Sequence, residues 1–297
     1  MKISVIVTNW NGLDIIKKSL PRVIAASPEA MEIIFSDDAS TDDSVNFARS
    51  LAQKHPKLRV IVQKKNVGFV ENSNYAVRHC KGALVILLNS DVYPQKGYIT
   101  STLRHFKNKN VFGVGLCEVG HENWAKLIWK DGYLQYQPGI EVSKLHITGW
   151  LSGGTSIVRR KLFLRLGGFD QVYAPFYSED VDLGYRAWKS GYTLIWEPKA
   201  KVKHYSRSTT SKISHKYVFF IQERNRLLTV WRNIKDQNLL WSNRLAILYR
   251  VLHSPGYTKV ILAALKQTLV FPPPKVFPKL HDKEIFDKFS TSRPLDP

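Results

Sequence analysis

Apolar runs and helical stretches take turns through the first third of the chain. "ISVIVT" (Ile3–Thr8) is an apolar run, and "GLDIIKKSLPRVIAA" after it sets Leu13, Ile16, Leu20 and Val23–Ile24 at helical spacing. "EIIFS" (Glu32–Ser36), a helical "DDSVNFARSLAQKH", the strand-like "LRVIVQ", a helical "ENSNYAVRHC" and the strand "ALVILL" follow. Strands alternating with helices of about 10–15 residues predict βαβ units, an α/β fold and a mostly parallel sheet. Ligands of such sheets gather at the carboxyl ends of the strands. Three polar clusters fall at those ends: Thr8-Asn9-Trp10-Asn11, Asp37-Asp38-Ala39-Ser40 and Asn89-Ser90-Asp91. The last closes "VILLNSDVYP" (Val85–Pro94), where four apolar residues run straight into a polar triplet. A plain βα turn with a helix cap would use the same residues. The triplet gains meaning from the other two clusters.

Beyond Val111 the alternation weakens. "VFGVGLCEV" reads as a further strand, and "NWAKLIWKDGYLQYQ", with its Asp-Gly, as a hairpin or a loop-rich insertion. "GWLSGGTSIVRRKLFLRLGGF" joins a glycine-rich turn and short strand to a helix stopped by Gly167-Gly168. "EDVDLGYRAWKSGY" is a second helix stopped by Gly191, and "TLIWEPKAKVKHYS" resumes strand character. The final third is mostly helical. "YVFFIQERNRLLTVWRNI" and "NLLWSNRLAILYRVL" mix apolar and basic positions, "KVILAALKQTLVFPPP" ends at Pro272–Pro274, and the polar tail "KLHDKEIFDKFSTSRPLDP" is expected to be loosely held.

Charge adds one feature. Lys and Arg number 44 against 24 Asp and Glu, a formal +20, and Lys199 to Pro297 holds 19 basic and 6 acidic residues. Such a field favours anionic partners, whether nucleotides, anionic lipid surfaces or nucleic acid. A solvated basic surface without a partner would have the same composition. Hydrophobic residues at 44% and aromatics at 12% allow a large core and exclude disorder of the whole chain. A length of 297 residues suits one large α/β domain, alone or with an appendage. Cys80 and Cys117 have no CxxC partner and no metal spacing, so they read as buried thiols of a reducing compartment. "MKISVIVTNWNG" is too briefly apolar for a signal peptide, and no window offers about 18 uninterrupted apolar residues, which points to a cytoplasmic chain.

The glycine-rich phosphate loops are missing. After the first strand the chain reads "TNWNGL", with neither GxGxxG nor Walker A spacing. Elsewhere, "PFYSEDVDLGYRAWKSGY" sets Ser178 where a helix N-cap belongs, with Glu179 and Asp180 in the first turn and Asp182 just beyond. Acidic residues favour helix starts in any protein. A helix dipole would also keep such a carboxylate ionised and fit to act as a general base.

At these residues the chain resembles the inverting glycosyltransferases of family 2, which have the GT-A fold, and among them the rhamnosyltransferase-like members. The segments that carry the resemblance are "VIVTNWNG", "FSDDASTDDS", "NVGFVENSNYAV", "ILLNSDVYP", "LSGGTSIVRRKLFLRLGGFD", "SEDVDLGYRAWKSGY", "AKVKH" and "ERNRLL", in the family's order from Met1 to Asn233. The resemblance implies a catalytic domain over residues 1–233 and a basic helical region over 234–297. It implies that Asp37 contacts the nucleotide base beside Asp38, and that Thr8, Asn11 and Asn74 line the nucleotide pocket. Asn89-Ser90-Asp91 would take the place of the family's Asp-x-Asp motif, with Asp91 on a divalent metal, Mg²⁺ or Mn²⁺, at the donor diphosphate. Asn89 departs from that motif and leaves a single carboxylate there. His204 matches the third metal-site position, although a lone His after a strand is more often structural.

The chemistry agrees with those positions. A departing nucleoside diphosphate gathers negative charge, which a hard cation held by oxygen ligands offsets. The acceptor hydroxyl must lose its proton to a carboxylate about 3 Å away. Asp180 is the expected base, with Glu179 orienting the acceptor, and in-line attack predicts inversion. Gly153 and Gly154 would let the backbone approach the sugar, or mark a plain turn. The expected partners are a nucleotide-sugar donor and a glycan or lipid-linked acceptor. The basic helices either pack with solvated Arg outward or lie on an anionic membrane. Nucleotidyl transfer would share a metal carboxylate on an α/β sheet but would call for a glycine-rich loop that "TNWNGLD" does not supply. A basic membrane- or nucleic-acid-binding module would explain the charge but not acidic residues at successive strand ends, so nucleic acid is not the expected partner.

Overall fold

The computed structural model describes residues 1–121, 124–205, 214–274, 276–290 and 294–295. The expected alternation is present: β1 (Ile3–Asn9), α1 (Leu13–Ala26), β2 (Glu32–Asp37), α2 (Ser44–Lys54), β3 (Leu58–Val62), α3 (Gly68–His79) and β4 (Leu84–Asn89). β4 is buried along its apolar length, as a parallel strand covered on both faces must be. Short β5 (Val92–Pro94) and α4 (Thr100–Leu103) lead into β6 (Val111–Glu118). The hairpin β7 (Ala125–Lys130) and β8 (Tyr133–Pro138) turns at Asp131-Gly132 and stands apart as its own two-stranded sheet. β9 (His146–Ile147), β10 (Thr155–Arg159), α5 (Arg160–Arg165), α6 (Glu179–Lys189) and β11 (Thr193–His204) complete the main sheet and its cover. Four helices close the chain: α7 (His215–Asn233), α8 (Gln237–His253), α9 (Thr258–Val270) and α10 (Asp282–Ser290).

The main sheet runs β3-β2-β1-β4-β10-β6-β11-β5, with β9 pairing off β11. β1 to β4 are parallel, β10 is antiparallel to both β4 and β6, and β11 is parallel to β6. β1, β2, β4, β6 and β11 therefore end on one edge of the sheet, and antiparallel β10 begins there. One core lies between the sheet and α1, α2 and α4, and a second lies under α3, α5, α6 and the C-terminal helices. Both cysteines are buried free thiols.

Over residues 279–290 the tail is not loosely held; residues 291–293, 296 and 297 lie outside the described residues. Ile285 and Phe289 of α10 are buried in the second core. Asp282 accepts from Tyr185 Oη at 2.7 Å and from the backbone N–H groups of Lys235 and Asp236, and it pairs with Lys189. The polar composition concealed an i, i+4 apolar pair, which is enough to dock a short helix. Helices α8 and α9 share that core with α7, so it continues past Asn233.

Candidate active site

The first two polar clusters bind each other. Asp37 Oδ2 accepts from Asn9 Nδ2 at 2.9 Å and from Ser40 Oγ at 2.7 Å, and its Oδ1 accepts from the Ser40 N–H at 2.7 Å. Asn11, with φ of 47°, donates its N–H to Ser40 Oγ at 2.8 Å and accepts from the Thr41 N–H at 2.7 Å. Asp38 takes both carboxylate oxygens the other way, accepting from the Val67 and Gly68 N–H groups at 2.8 Å each, and so fixes the start of α3. Two strand-end loops are thereby held against each other with Thr8 beside them, its Cα in register with Asn89. Asn9 was not singled out from the sequence. Its Oδ1 is buried with no hydrogen-bond partner among the described residues, a feature a ligand donor would relieve.

Asn74 does not line this floor. Its amide donates to Phe169 O at 2.7 Å and accepts from the Phe169 N–H at 2.9 Å, so both ends are committed to one backbone position. Asn74, which the resemblance sets at the nucleotide, anchors the turn after α5.

The third cluster meets His204. Its Nε2 lies 3.1 Å from Asp91 Oδ1 and its Nδ1 lies 2.9 Å from Glu118 Oε2. β5 pairs Val92 with His204, and this register sets Asp91 beside the imidazole. Burial alone would push His204 down, but hydrogen bonds and charge from Asp91 and Glu118 lift it to about 10. Burial would raise Glu118, yet the His204 hydrogen bond and charge, with the Thr155 hydrogen bond, together outweigh it and hold the carboxyl below its usual range. Thr155 Oγ1 donates to the other oxygen of Glu118. Among the described residues no group of three His, Cys, Asp or Glu side chains is placed to hold a metal ion. Asp91 and Nε2 instead face each other at 3.1 Å, and a cation held by both would take the place of the Nε2 proton. Glu118 grips the far side of the ring, as carboxylates do behind metal-binding imidazoles. A carboxylate oxygen and an imidazole nitrogen fit Mn²⁺ or Mg²⁺ when phosphate oxygens and water fill the remaining positions.

Asp180 approaches from the other side of the same edge. Its Oδ2 lies 3.4 Å from the Gly153 N–H, and the next residue, Gly154, accepts from the Asn89 N–H at 3.0 Å. A Cβ on Gly154 would sit 2.3 Å from Asn89 Nδ2, so glycine is needed for this close approach. Asp180 and the end of β4, which carries Asp91 two residues on, thus meet the same Gly153-Gly154 backbone. Burial pushes Asp180 up, more than its backbone hydrogen bonds pull it down. Burial, and then the neighbouring Asp180 charge, pushes Glu179 up as well, and Glu179 Oε2 is buried with no hydrogen-bond partner among the described residues. The expectation that the helix dipole keeps a carboxylate here ionised at neutral pH is corrected for Glu179, which burial pushes up to about 8, whereas Asp180 is pushed up only to about 6. Ser178 is not a side-chain cap either. It sits at φ 74° after Tyr177 at φ 73°, and no cap hydrogen bond forms from its side chain. Asp182 is structural: Arg186 pairs with it at 2.6 Å, and Tyr173 Oη and Asn233 Nδ2 donate to it.

Two consecutive left-handed residues other than glycine are costly unless the surroundings hold them. Asn225 of α7 does so, donating to Tyr173 O, Phe176 O and Tyr177 O at 3.0, 3.0 and 2.7 Å, while Arg224 donates to Ala174 O at 2.6 Å. The "ERNRLL" segment is therefore the clamp that aims the start of α6. We expect Asn225→Ala to cost about 1–3 kcal/mol of stability from unpaired buried carbonyls. It should lower turnover more than nucleotide affinity; equal losses in both would contradict a positioning role.

Between β6 and the hairpin lies a cavity of about 250 Å³, lined by Glu118, Trp124, Tyr136, Trp150, Ser152 and Thr155 among others. Tyr136 and Trp150 stand 4.5 Å apart at 56°. Thr155 and Glu118 connect it to the Asp91–His204 pair.

Comparison with known proteins decides the family. The model of glycosyl transferase family 2 matches residues 4–167, more than half of the chain. The chain belongs to glycosyl transferase family 2. Among relatives, it is 25% identical over 233 residues to an N-acetylglucosaminyl-diphospho-decaprenol L-rhamnosyltransferase of Mycobacterium tuberculosis, covering 66% of this chain and 74% of that protein. It is also 25% identical over 260 residues to rhamnosyltransferase WbbL of Escherichia coli K12, covering 79% and 95%. Among solved structures, GalNAc-T7 with UDP, GalNAc and Mn²⁺ matches with TM-score 0.64 and 16% identity over 80% of this chain and 48% of that one. A mannosyltransferase from Pyrobaculum calidifontis with GDP-Man and Mn²⁺ matches with TM-score 0.59 and 18% identity, over 91% and 75%. The fold is GT-A, and this family 2 glycosyltransferase is rhamnosyltransferase-like. Against its neighbours' fold, the sheet edge at Asn89–Asp91 is where the expected site was drawn from sequence.

Proposed function

We propose that this glycosyltransferase moves a sugar, with inversion, from a nucleoside diphosphate donor to a hydroxyl of a glycan or lipid-linked acceptor. The observation that carries the reading is that Asp180 and Asn89, two residues before the Asp91–His204 pair, both hydrogen-bond the Gly153-Gly154 backbone at the sheet edge. Asp91 and His204 would hold the divalent cation, with Asn89 and Ser90 beside the diphosphate. Bound there, the cation would offset the negative charge that develops on the departing diphosphate. The loops joined through Asp37, Asn11 and Ser40 would hold the nucleoside, and Gly153-Gly154 would admit the donor sugar.

Asp180 takes the acceptor proton. Its raised pKa brings it nearer to that of a useful base at neutral pH. Glu179, buried beside it, would stay protonated, so Asp180 keeps its charge without a second charge next to it. The cavity of Trp124, Tyr136 and Trp150 would receive the acceptor, since aromatic faces are large apolar surfaces with a polar rim. The named activities of the two relatives favour a deoxyhexose donor, and the Mycobacterium protein's name favours a diphospholipid-linked acceptor. No helix among the described residues is long and apolar enough to cross a membrane. A lipid-linked acceptor would be met at a membrane surface.

The test is a thermal-shift screen of nucleoside diphosphates and nucleotide sugars with and without Mn²⁺. Ligands of the native state raise the transition temperature by mass action. One nucleotide should stabilise the protein, and more strongly with Mn²⁺ than with chelator. A flat response across the whole panel would contradict the donor reading.

A further inference from the structure

Two C-terminal helices show large apolar side chains to water on the faces turned away from the core. On α8, Trp241, Leu245, Leu248, Tyr249 and Leu252 follow one another at i, i+4, i+7, i+8 and i+11, which makes a single stripe, and each is more than half exposed. On α9, Leu262, Leu265 and Leu269 repeat at i, i+3 and i+7, with Leu269 87% exposed. The inner faces are apolar too: Leu239, Leu240, Ala246, Ile247 and Val251 of α8, and Val260 and Ala264 of α9, pack on the core. Solvated Arg on the outside holds for Arg244 but not for Arg250, which turns inward to Glu223, and leucines share the outer face. A helix apolar on both sides is one that leaves water on both sides.

We propose that the outer faces of α8 and α9 seat the enzyme on an anionic lipid bilayer. Charge selects this occupant. From Gln237 to Val270 the sequence holds four basic residues, Arg244, Arg250, Lys259 and Lys266, and no Asp or Glu. Arg244, Lys259 and Lys266 are exposed, and the Arg244 guanidinium lies 4.7 Å from the ring centre of Trp241, so cation and indole occupy one depth. Trp and Tyr with basic residues around leucine is the composition of a helix lying in a membrane interface. A second copy of the chain on this face would bring the same cations against themselves in a self-complementary contact. Lipid phosphates neutralise them.

The face also adjoins the site. Gly132, at φ 77°, turns the β7–β8 hairpin directly on α8: a Cβ there would meet Ala246 Cβ at 2.6 Å. Asn243 Nδ2 donates to Gly132 O at 2.8 Å and Trp129 Nε1 to Ser242 Oγ at 3.4 Å. The other end of that hairpin, through Tyr136 and Pro138, lines the aromatic cavity. One hairpin thus separates the seat from the cavity assigned to the acceptor.

Co-sedimentation of the full chain with vesicles tests this without any donor or metal, so the result is independent of the catalytic reading. The protein should sediment with vesicles of phosphatidylcholine and phosphatidylglycerol, much less with phosphatidylcholine alone, and less at high salt. The double variant Leu248→Glu, Leu252→Glu should bind at least about tenfold more weakly, since it removes apolar burial and adds like charge to the lipid. A charge-reversed variant, Lys259→Glu with Lys266→Glu, should lose the preference for phosphatidylglycerol, and covers the case in which the leucine variant misfolds. Absence of sedimentation, or equal sedimentation of all three proteins, would overturn the proposal. So would a lipid-free dimer in gel filtration that the leucine variant dissociates, since the occupant would then be a second copy.

Discussion

Asp180→Asn should lower sugar transfer about 10²- to 10⁴-fold, the usual contribution of a positioned general base, with nucleoside diphosphate binding retained. The amide keeps the shape of the carboxylate and can keep the 2.8 Å contact from the Val181 N–H, giving up only the longer one from the Gly153 N–H at 3.4 Å. What it lacks is basicity. The same argument sets a pH dependence. Burial raises Asp180 above its ordinary value, and the base works only when ionised. As pH falls, wild-type kcat/KM should therefore begin to drop at a pH above the ordinary Asp value of about 3.9. The residual rate of the variant should lack that limb. Rates of both proteins against pH, at saturating Mn²⁺, check the pair of statements. Retained turnover in the variant would remove Asp180 as the base.

Asp91→Ala should abolish the dependence of nucleotide binding on Mn²⁺. Asn89 leaves Asp91 as the one carboxylate of its triplet, so no neighbour within "NSD" can replace it. Losing the groups behind a metal ligand typically costs 10- to 100-fold in metal affinity, and losing the ligand itself should cost more. Glu118→Gln should fall within that 10- to 100-fold range, because the amide still holds His204 Nδ1 but no longer carries charge. Calorimetric titration of nucleoside diphosphate, with Mn²⁺ and with chelator, reads both variants. Binding by Asp91→Ala that still strengthens with Mn²⁺ would count against the assignment.

The sheet was legible because β1 to β4 are short apolar runs closed by polar turns, and period alone separates them from α1 to α3. The carboxyl-end rule then points to the edge where β1, β2, β4, β6 and β11 end. What period does not show are tertiary partners. Asn74 sits in a segment typical of the family, and Phe169, far along the chain, bonds both ends of its amide. Ser178 occupies the N-cap of α6 as its residue type suggests, but its side chain makes no cap bond, and Asn225 on a later helix holds the segment in a left-handed turn that no local rule anticipates. Glu118 ends an apolar strand with "CEV" and gave no signal until β6 and β11 paired in parallel and set it against His204. Ile285 and Phe289 could have been found from their spacing, but surrounding charges masked a helix of nine residues. Long-range hydrogen bonds are invisible to periodicity. Strand ends are not.

The most direct test is a crystal structure of Asp180→Asn grown with Mn²⁺ and the nucleotide sugar selected by thermal shift, with data collected at the manganese absorption edge. The anomalous peak should lie between the Asp91 carboxylate and His204 Nε2, on the diphosphate, with the anomeric carbon facing residue 180. A peak away from Asp91, or a donor whose sugar points away from residue 180, would contradict the account.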